Sequence, residues 1–343
     1  MLLSIIVPVY NMAAQDKLKH CLDSLVSQTI QDYEIIAVDD CSTDNSFAVL
    51  QDYEKQYSNK FRAIHSDVNK HQGGAKNIGI REAKGDWIGF IDADDWIAAD
   101  MYEQLISKAN ETGADMVGCD YCLVDSYTFE PGDRIVENSR QDQTGDIGLS
   151  QKKSFILEGG SLVVKIYKRD RILKDELFFP ENIFYEDNAM SASYLLGAKH
   201  YEYIPKPLYY YYQHDTSTVH TITRVRCDDR MEAARILLKE SKRLGFYDEV
   251  QEELEYFFTS TFYINTLFSY MPGVKHTSYS YVKKMGDEMR EHFPDFMKNK
   301  YYLEKVHPEE KKLIAMQQKS TLMFMVYYKL LWAYRNMRKK LKG

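Results

Sequence analysis

The stretch GDWIGFIDADD, residues 85–95, joins an apolar run to three aspartates. The run is typical of a buried β-strand, because Trp, Ile and Phe fit a pleated sheet that is covered on both faces. Asp92, Asp94 and Asp95 then lie within four positions, where like charges raise one another's pKa and destabilise the fold unless a positive group lies among them. The stretch therefore predicts a cation at the end of a core strand, with a solvated acidic turn that caps the following helix as the alternative.

The residues around this stretch alternate between short β-rich runs and helical patterns. The predicted strands include LSIIVPVY, YEIIAVDD and FRAIHS, and the predicted helices are DKLKHCLDSLVSQ, NSFAVLQDYEKQY and GGAKNIGIREA. The apolar face of the first helix consists of Leu18, Cys21, Leu22 and Leu25, and the cap candidates of the second are Ser42, Thr43 and Asp44. Such alternation predicts an α/β fold with a mostly parallel sheet flanked by helices. Ligands bind such sheets outside the carboxyl ends of the strands, so the polar residues after three of the strands are expected to meet in one crevice.

The chain is large and its charge is unevenly distributed. At 343 residues, with 44% hydrophobic and 28% charged residues, it is expected to form more than one simple domain. The net charge is −7, but residues 311–343 contain nine Lys or Arg and no acidic residue, which leaves −16 on the rest. The acidic body argues against nucleic acid as a partner, whereas the basic tail predicts contact with an anionic surface. From about residue 223 the pattern is helical almost to the end, which predicts a C-terminal helical lobe.

Cysteine usage and the N-terminus bear on the compartment. The five cysteines form no regular framework, so we expect free thiols in a reducing, cytoplasmic environment. Cys119 and Cys122 have CxxC spacing, but no second pair follows at zinc spacing, which favours buried strand residues. The segment MLLSIIVPVYN has no basic region or cleavage site, so we predict a first strand and not a signal or membrane-spanning segment.

Six motifs carry a family resemblance. In order and spacing, SIIVPVYN, LDSLVSQT, YEIIAVDDCSTDNS, GGAKNIGI, GDWIGFIDADD and YEDN resemble family 2 glycosyltransferases with the GT-A fold, over about residues 1–220. The resemblance implies a Rossmann-like α/β fold that binds a nucleotide-diphospho-sugar, usually UDP-linked, and transfers the sugar with inversion. It implies a nucleotide-sugar-binding half at residues 1–115, an acceptor-binding half at 116–222, and a helical C-terminal region at 223–343.

The same resemblance assigns residues to the donor. The set implied for nucleotide-sugar binding is Pro8, Val9, Tyr10, Asp40, Gly74, Lys76, Asp92, Ala93 and Arg224. Tyr10 and the two residues before it would form the wall on which uracil lies, and Asp40 would accept a hydrogen bond from its ring N–H. Asp92 would face the ribose. Lys76 stands near the phosphates, where family members commonly have Arg.

A divalent metal is expected at the aspartates. An Asp-x-Asp pair can hold a hard cation that bridges two phosphate oxygens, as Mg²⁺ or Mn²⁺ prefers. The resemblance places Asp94 on this metal and makes His214 a candidate to reach the metal or diphosphate when a loop closes. We therefore expect Mn²⁺ or Mg²⁺ as cofactor.

Inversion needs a base on the acceptor side. The attacking acceptor hydroxyl must lose its proton to a carboxylate, and FYEDN supplies Glu186 and Asp187. The resemblance favours Asp187 as the base and Glu186 as a positioning group or second acceptor contact. By family-level analogy, the acceptor would be a glycan or lipid-linked glycan in bacterial cell-surface polysaccharide or glycoconjugate synthesis.

Two other interpretations stay open. A nucleotidyltransferase shares the β/α architecture and acidic metal sites, but it normally has a basic, glycine-rich phosphate loop near the N-terminus, and VPVYNMAAQD contains none. A catalytically inactive protein that binds sugar nucleotides or glycans is the second. Intact Asp92, Asp94 and Asp187 argue against this interpretation.

The last 24 residues, STLMFMVYYKLLWAYRNMRKKLKG, join an apolar run to a basic end. As a helix, residues 322–334 would extend about 20 Å, against roughly 30 Å of bilayer hydrocarbon, so a spanning segment is not expected. Two alternatives remain: the helix lies flat on an anionic surface at the inner face of the cell membrane, or it packs on the protein's own core. The sequence leaves the transferred sugar and homo-oligomer formation undecided.

Overall fold

The computed structural model describes residues 1–124, 130, 132–213 and 222–342, with side chains described up to residue 338. Its strands are β1 (Leu3–Val9), β2 (Tyr33–Asp39), β3 (Phe61–His65), β4 (Trp87–Phe90), β5 (Trp96–Ile97), β6 (Met116–Val124), β7 (Arg134–Val136), β8 (Gly145–Asp146), β9 (Lys165–Lys168) and β10 (His200–Tyr212). Its α-helices are α1 (Lys17–Val26), α2 (Ser46–Gln56), α3 (His71–Glu82), α4 (Met101–Thr112), α5 (Leu149–Glu158), α6 (Arg169–Lys174), α7 (Glu186–Leu196), α8 (Arg224–Arg243), α9 (Gln251–Phe258), α10 (Asn265–Gly273), α11 (Tyr279–His292), α12 (Lys300–Lys305), α13 (Pro308–Lys319) and α14 (Thr321–Lys342). A π-helical segment, Thr259–Ile264, joins α9 to α10.

The strands of the described residues form one sheet. Its order is β3-β2-β1-β4-β9-β6-β10-β5, while β7 pairs with β6 and β8 pairs with β10. Strand β1 runs parallel to β2 and β4, β2 runs parallel to β3, and β6 runs parallel to β10. Strand β9 runs antiparallel to its neighbours β4 and β6. The predicted α/β fold with a mostly parallel sheet is confirmed.

The strand order places the crevice. From β1 the chain builds outward through β2 to β3 and then returns to the other side of β1 with β4. Such a reversal is a topological switch point, and ligands bind outside the carboxyl ends of the strands that flank it. Here those ends are Val9 of β1 and Phe90 of β4. Tyr10 and Asn11 follow Val9, and the aspartates begin just after Ile91.

Helix packing matches the apolar patterns, with one local correction. Strands β1 and β2 are buried along their whole length, and the four predicted face residues of α1 are all buried. Helix α2, however, begins at Ser46 after Asn45, whose side chain makes no cap hydrogen bond. Of the predicted cap residues, Asp44 does accept a hydrogen bond from the Ser46 amide, at 2.9 Å. The five cysteines are free thiols, as predicted.

The chain divides into two compact units, Met1–Ser217 and Thr218–Gly343. The first contains the whole described sheet and α1 to α7. The second consists of α8 to α14 with the π-helical segment, which confirms the predicted C-terminal helical lobe. Assignment of a donor half and an acceptor half within the first unit stays a prediction. Among the described residues, none of the helices has the length and apolar character needed to cross a bilayer.

Candidate active site

The loops that follow β1 and β2 are joined by hydrogen bonds. The amide of Asn11 donates to Ser42 Oγ at 2.9 Å, and Asn11 Oδ1 accepts from the Thr43 amide at 2.8 Å. Two residues later, the Ala13 amide donates to Asp44 Oδ2 at 3.0 Å. Ser42 and Thr43 are therefore used to hold the β1 loop and not to cap α2. The predicted meeting of polar strand ends is observed for these two strands.

The aspartates after β4 differ in what they touch. Asp95 is buried, and its carboxylate accepts from the Tyr209 hydroxyl at 2.5 Å and from the Tyr212 amide at 2.9 Å. The Tyr209 hydroxyl also accepts a 3.3 Å hydrogen bond from the Asp92 amide. Burial, followed by the charges of its two neighbours, raises the pKa of Asp95 well above its usual range. Asp95 thus ties the aspartate loop to β10.

Asp92 and Asp94 are left half-buried on the other side of this loop. Asp92 Oδ1 accepts a hydrogen bond from the side-chain Nε2 of Gln72, at the start of α3. Burial raises the pKa of Asp92 to about 6, and the positive charge of Lys76 opposes the shift. The charges of Asp94, Glu186 and Asp187 add to it, so these carboxylates share one electrostatic neighbourhood.

Helix α3 binds the segment that leads into α7. Asn77 Nδ2 donates to the Phe179 carbonyl at 2.8 Å, and Asn77 Oδ1 accepts from the Phe179 amide at 2.8 Å. A Cβ atom at Gly73 would lie 2.2 Å from the Pro180 carbonyl oxygen, a distance that no side chain tolerates. Gly73 therefore permits a close approach of the α3 backbone to this segment. The glycine-containing motif acts here as a docking surface.

A buried ion pair joins the two helices. Lys76 Nζ lies 2.8 Å from Glu186 Oε1, and each side chain is only 5% exposed. Burial lowers the pKa of Lys76, but the charges of Glu186, Asp92 and Asp187 outweigh that effect and raise it. Lys76 also lies over the Phe179 ring, 5.1 Å from its centre. The pair fixes the start of α7 against α3, and contact between Lys76 and a phosphate stays a prediction.

Asp187 follows Glu186 in the first turn of α7 and is exposed to solvent. Partial desolvation of its carboxyl group, followed by the charge of Glu186, raises the pKa of Asp187. Its Oδ1 accepts from the Asn188 amide at 2.8 Å. Glu186 is buried and held by Lys76, so Asp187 is the carboxylate of these two that is open to solvent.

The predicted nucleobase residues lie at the carboxyl ends of β1 and β2. Pro8 and Val9 are buried within β1, while Tyr10 is 49% exposed. Asp40 is buried; its Oδ1 accepts from the Lys70 amide at 2.8 Å, and burial raises its pKa. The exposed ring of Tyr10 is open to stacking, whereas Asp40 already holds one loop hydrogen bond.

A buried carboxylate beside Asp40 was not singled out from the sequence. Asp39 Oδ2 lies 2.8 Å from His65 Nδ1 and accepts from the Ser42 amide at 3.2 Å. Its other oxygen, Oδ1, is buried with no hydrogen-bond partner among the described residues. Of the two aspartates in the VDD motif, Asp40 therefore bonds to the loop before α3 and Asp39 bonds to His65 of β3.

Left-handed backbone conformations gather at the loops of this site. Asn11, Cys41, His71 and Tyr185 have φ values of 52°, 60°, 60° and 64°. Residues other than glycine occupy this region at a cost of about 1–2 kcal/mol each. Tyr185 immediately precedes Glu186, so the start of α7 is held in a strained turn, as is common at functional sites.

Three further predicted site residues lie within the described part of the chain. Ala93 is buried within the aspartate loop, and a Cβ atom at Gly74 would lie 2.2 Å from Lys70 Cβ. Arg224 begins α8 in the second unit, with its guanidinium 4.7 Å from the Tyr281 ring centre. His214 lies outside the described residues. The roles of these four residues stay predictions.

The donor atoms fit a divalent metal only with help from a substrate. Among the described residues, no group of three His, Cys, Asp or Glu side chains is arranged to hold a metal. Asp92 and Asp94 supply carboxylate oxygens, which Mg²⁺ and Mn²⁺ prefer, and their mutual repulsion would be relieved by a cation. Phosphate oxygens and water would have to complete the coordination shell, which is the usual arrangement for Mg²⁺ at phosphate sites.

The residues missed from the sequence are mostly supports for the predicted ones. They are Gln72, Asn77, Asp39, His65 and Tyr209. Tyr209 is one of four consecutive tyrosines, and only the pleat of β10 decides which of them faces Asp95. Gln72 and Asn77 belong to HQGGAKNIG, in which the resemblance assigned only Gly74 and Lys76 to the donor.

Comparison with known proteins gives the family. The profile described as Glycosyl transferase family 2 matches residues 4–167. The putative glycosyltransferase EpsH of Bacillus subtilis is 32% identical over 260 residues, which are 74% of this chain and 73% of that protein. The poly(ribitol-phosphate) beta-glucosyltransferase of Bacillus spizizenii is 32% identical over 215 residues, 62% of this chain but 32% of that protein. The chain thus spans from about a third to about three quarters of the length of these relatives.

A solved structure shares the fold. Staphylococcus aureus TarS 1–349, determined in complex with UDP-GlcNAc, superposes with a TM-score of 0.74 at 21% identity, over 98% of this chain and 92% of that one. The GT-A fold expected from the sequence is therefore confirmed. With the match to the family profile and the extensive identity to EpsH, this chain belongs to glycosyl transferase family 2.

Proposed function

We propose that the protein is an inverting glycosyltransferase that moves a sugar from a UDP-sugar to an acceptor hydroxyl. The observation that carries the proposal is the arrangement around Lys76. Its buried pair with Glu186 leaves Asp187 exposed, in the same electrostatic neighbourhood as Asp92 and Asp94. Asp92 and Asp94 would face a metal-bound diphosphate, and Asp187 would face the attacking hydroxyl.

The donor side is supported by the strand ends. Tyr10 presents an exposed aromatic face, and Asp40 has a carboxylate at the same edge of the sheet. An aromatic face with one carboxylate is sufficient to bind uracil and accept a hydrogen bond from its ring N–H. TarS, which has this fold, was solved with UDP-GlcNAc and with UDP, and a nucleotide-diphospho-sugar is accordingly the proposed donor class.

The proposed metal is Mn²⁺ or Mg²⁺, held by Asp94 with Asp92 nearby and by oxygens of the diphosphate. When bound, it would neutralise the charge that develops on the departing diphosphate. Asp95 does not take part, because both of its oxygens accept hydrogen bonds from β10. It keeps the loop in place.

In the proposed transfer step, the acceptor hydroxyl attacks the anomeric carbon in line with the departing diphosphate. Asp187 removes the proton of that hydroxyl, and its raised pKa makes it a stronger base than an ordinary aspartate. Glu186 acts as a positioning residue, because Lys76 holds its carboxylate. The bond to the diphosphate breaks as the new glycosidic bond forms, which inverts the anomeric centre.

The acceptor is proposed as a hydroxyl of a cell-surface glycan or glycoconjugate, including a lipid-linked one. Support comes from the relative whose name states that it glucosylates poly(ribitol-phosphate), a polymer with free hydroxyls. The chain covers only 32% of that longer protein, so the polymer itself is not carried over.

A nucleotide-sugar panel tests this function. Purified protein is mixed with UDP-, GDP- and dTDP-sugars, with and without Mn²⁺, and followed by thermal shift and by release of the nucleoside diphosphate. We expect at least one UDP-sugar to raise the melting temperature and to release UDP slowly in Mn²⁺. Pyrophosphate release from UTP and a sugar 1-phosphate would instead identify a nucleotidyltransferase. Binding without turnover, even with glycan acceptors present, would identify an inactive binding protein.

A further inference from the structure

Helix α14 packs one of its faces against the second unit. The buried residues of this face, in the i, i+3, i+4, i+7 pattern of one helix side, are Thr321, Phe324, Met325 and Tyr328. Farther along, Tyr328 stacks on Trp332 with ring centres 6.0 Å apart, and Arg335 lies 2.5 Å from Glu309 of α13. The helix is therefore seated on its own unit, as one of the two sequence alternatives required.

The opposite face of α14 is apolar and exposed. Its residues are Leu322, Met323, Val326, Leu330 and Met337, which are 47–66% exposed. At 3.6 residues per turn they fall within an arc of about 100°, with Tyr327 and Tyr334 along one border. Scattered apolar residues are normal on a surface, but a continuous apolar stripe marks a surface that contacts another body.

Cations flank this exposed stripe. Lys329 lies beside its Leu322 edge and Arg338 lies beyond the tyrosine border. The sequence adds Lys339, Lys340 and Lys342, and residues 311–343 contain no acidic residue. A long helix with an apolar stripe between basic flanks has the pattern of helices that lie in a lipid interface, where aromatic rings suit the headgroup level.

The charges decide between two occupants of the stripe. In a symmetric dimer the same basic helix would face itself, and the tail supplies no acidic group to offset the repulsion. An anionic lipid surface complements both the stripe and its flanks. We propose that α14 docks flat on an anionic lipid bilayer, with Leu330 and its neighbours at the acyl boundary and Lys329 and Arg338 at the headgroups.

This docking does not depend on the proposed transfer reaction. The apolar stripe lies outside every residue assigned to the donor, the metal or the base, so its loss should leave UDP binding unchanged. The acidic remainder of the chain would be repelled by the same bilayer, which favours contact through α14 alone. Binding should therefore weaken as salt rises.

Vesicle sedimentation with the full-length protein tests the proposal. The vesicles contain phosphatidylglycerol and phosphatidylcholine, or phosphatidylcholine alone, at 50 mM and 500 mM NaCl. The test variant is Leu330→Asp, at a 66% exposed leucine, and the matched control is Leu303→Asp, at a 53% exposed leucine on α12 of the same unit. We expect wild type and the control to bind anionic vesicles at low salt, and Leu330→Asp to lose at least about tenfold in partition coefficient.

Circular dichroism and UDP binding establish that each variant is folded. A double variant, Lys329→Gln with Arg338→Gln, should keep its fold. It should bind anionic vesicles more weakly than wild type at 50 mM NaCl, with a smaller difference between the two salt concentrations. Equal partition of wild type and Leu330→Asp at low salt would overturn the proposal. A second result would also overturn it: wild type does not bind vesicles but forms a dimer, and Leu330→Asp is a monomer. The stripe would then bind a second copy of the chain.

Discussion

At the scale of single residues, each carboxylate of the site has a role that follows from what it touches. Asp95 is enclosed by donors from β10, Glu186 is held by a buried lysine, and Asp92 accepts from Gln72. Asp187 is exposed at a helix start, where the amide of Asn188 donates to it. Residue type alone did not separate these roles, because the sequence shows only acidic residues in two clusters.

Replacement of Asp187 by Asn tests the proposed base. The variant should keep its affinity for UDP and lose sugar transfer by at least about 10²-fold, because the hydroxyl would have no group to take its proton. Steady-state transfer and UDP titration measure the two effects. Asp52→Asn, on the exposed face of α2, is a matched control that should behave as wild type. Near-normal transfer by Asp187→Asn would move the base to another residue.

Lys165 makes the stability depend on pH. It is fully buried in β9, where its Nζ donates to the carbonyls of Gly159 and Ser161 at 3.0 and 2.7 Å. Burial lowers the pKa of Lys165 to about 7, with the Cys119 thiol opposing the shift. The unfolded chain keeps this proton up to a pH of about 10, so above pH 7 it binds more protons than the folded chain. Stability from this group therefore rises with pH from about 7 upward.

Urea unfolding of wild type and Lys165→Met between pH 6.5 and 8.5 measures that dependence. The unfolding free energy of wild type minus that of Lys165→Met should increase as pH rises, by up to about 1.4 kcal/mol per pH unit. Free cysteines, with a pKa of about 8.5 in the unfolded chain, titrate in the upper part of this window, but they do so in both proteins and cancel in the difference. Parallel pH profiles for the two proteins would show that Lys165 keeps its proton in the folded state.

At the scale of elements, α3 holds α7 through Asn77 and the Lys76–Glu186 pair. Lys76→Met should cost about 3–5 kcal/mol of unfolding free energy, because it leaves a buried carboxylate unpaired. The double variant Lys76→Met, Glu186→Gln should recover part of that loss, since no unpaired charge remains. Urea unfolding of wild type, Lys76→Met, Glu186→Gln and the double variant completes a double-mutant cycle that measures the coupling. A single variant that loses less than about 1 kcal/mol would show that Glu186 is not held by this pair.

The order and type of the main elements were predictable because their apolar periods are strong. Strands β1 and β2 and the buried face of α1 follow the sequence pattern residue by residue. Strand β4 ends at Phe90, within the apolar run, and the aspartates that follow accept hydrogen bonds from other elements. The start of α2 was predicted too early, since Ser42 and Thr43 bond to Asn11 in the loop after β1 and not to their own helix. Such long-range hydrogen bonds leave no local signal.

At the scale of the whole molecule, the site could be placed from sequence and the contacts within it could not. Parallel strands bring their carboxyl ends to one edge, so Tyr10, Asp40 and Asp92 were expected there, and that is where they lie. The Lys76–Glu186 pair joins residues 110 positions apart and depends on how α3 and α7 pack. In the second unit, the helical pattern of the tail was readable, but only the packing shows which face of α14 is exposed.

The central claim is that two carboxylates of one site have separate functions. Asp94 holds the donor through a metal, and Asp187 acts only in the transfer step. Isothermal titration calorimetry of UDP, in Mn²⁺ and in excess chelator, tests it most directly with wild type, Asp94→Asn and Asp187→Asn. Wild type and Asp187→Asn should bind UDP equally in Mn²⁺ and at least about tenfold more weakly in chelator, while Asp94→Asn should bind weakly in both. Equal UDP affinity of wild type in Mn²⁺ and in chelator would contradict the account.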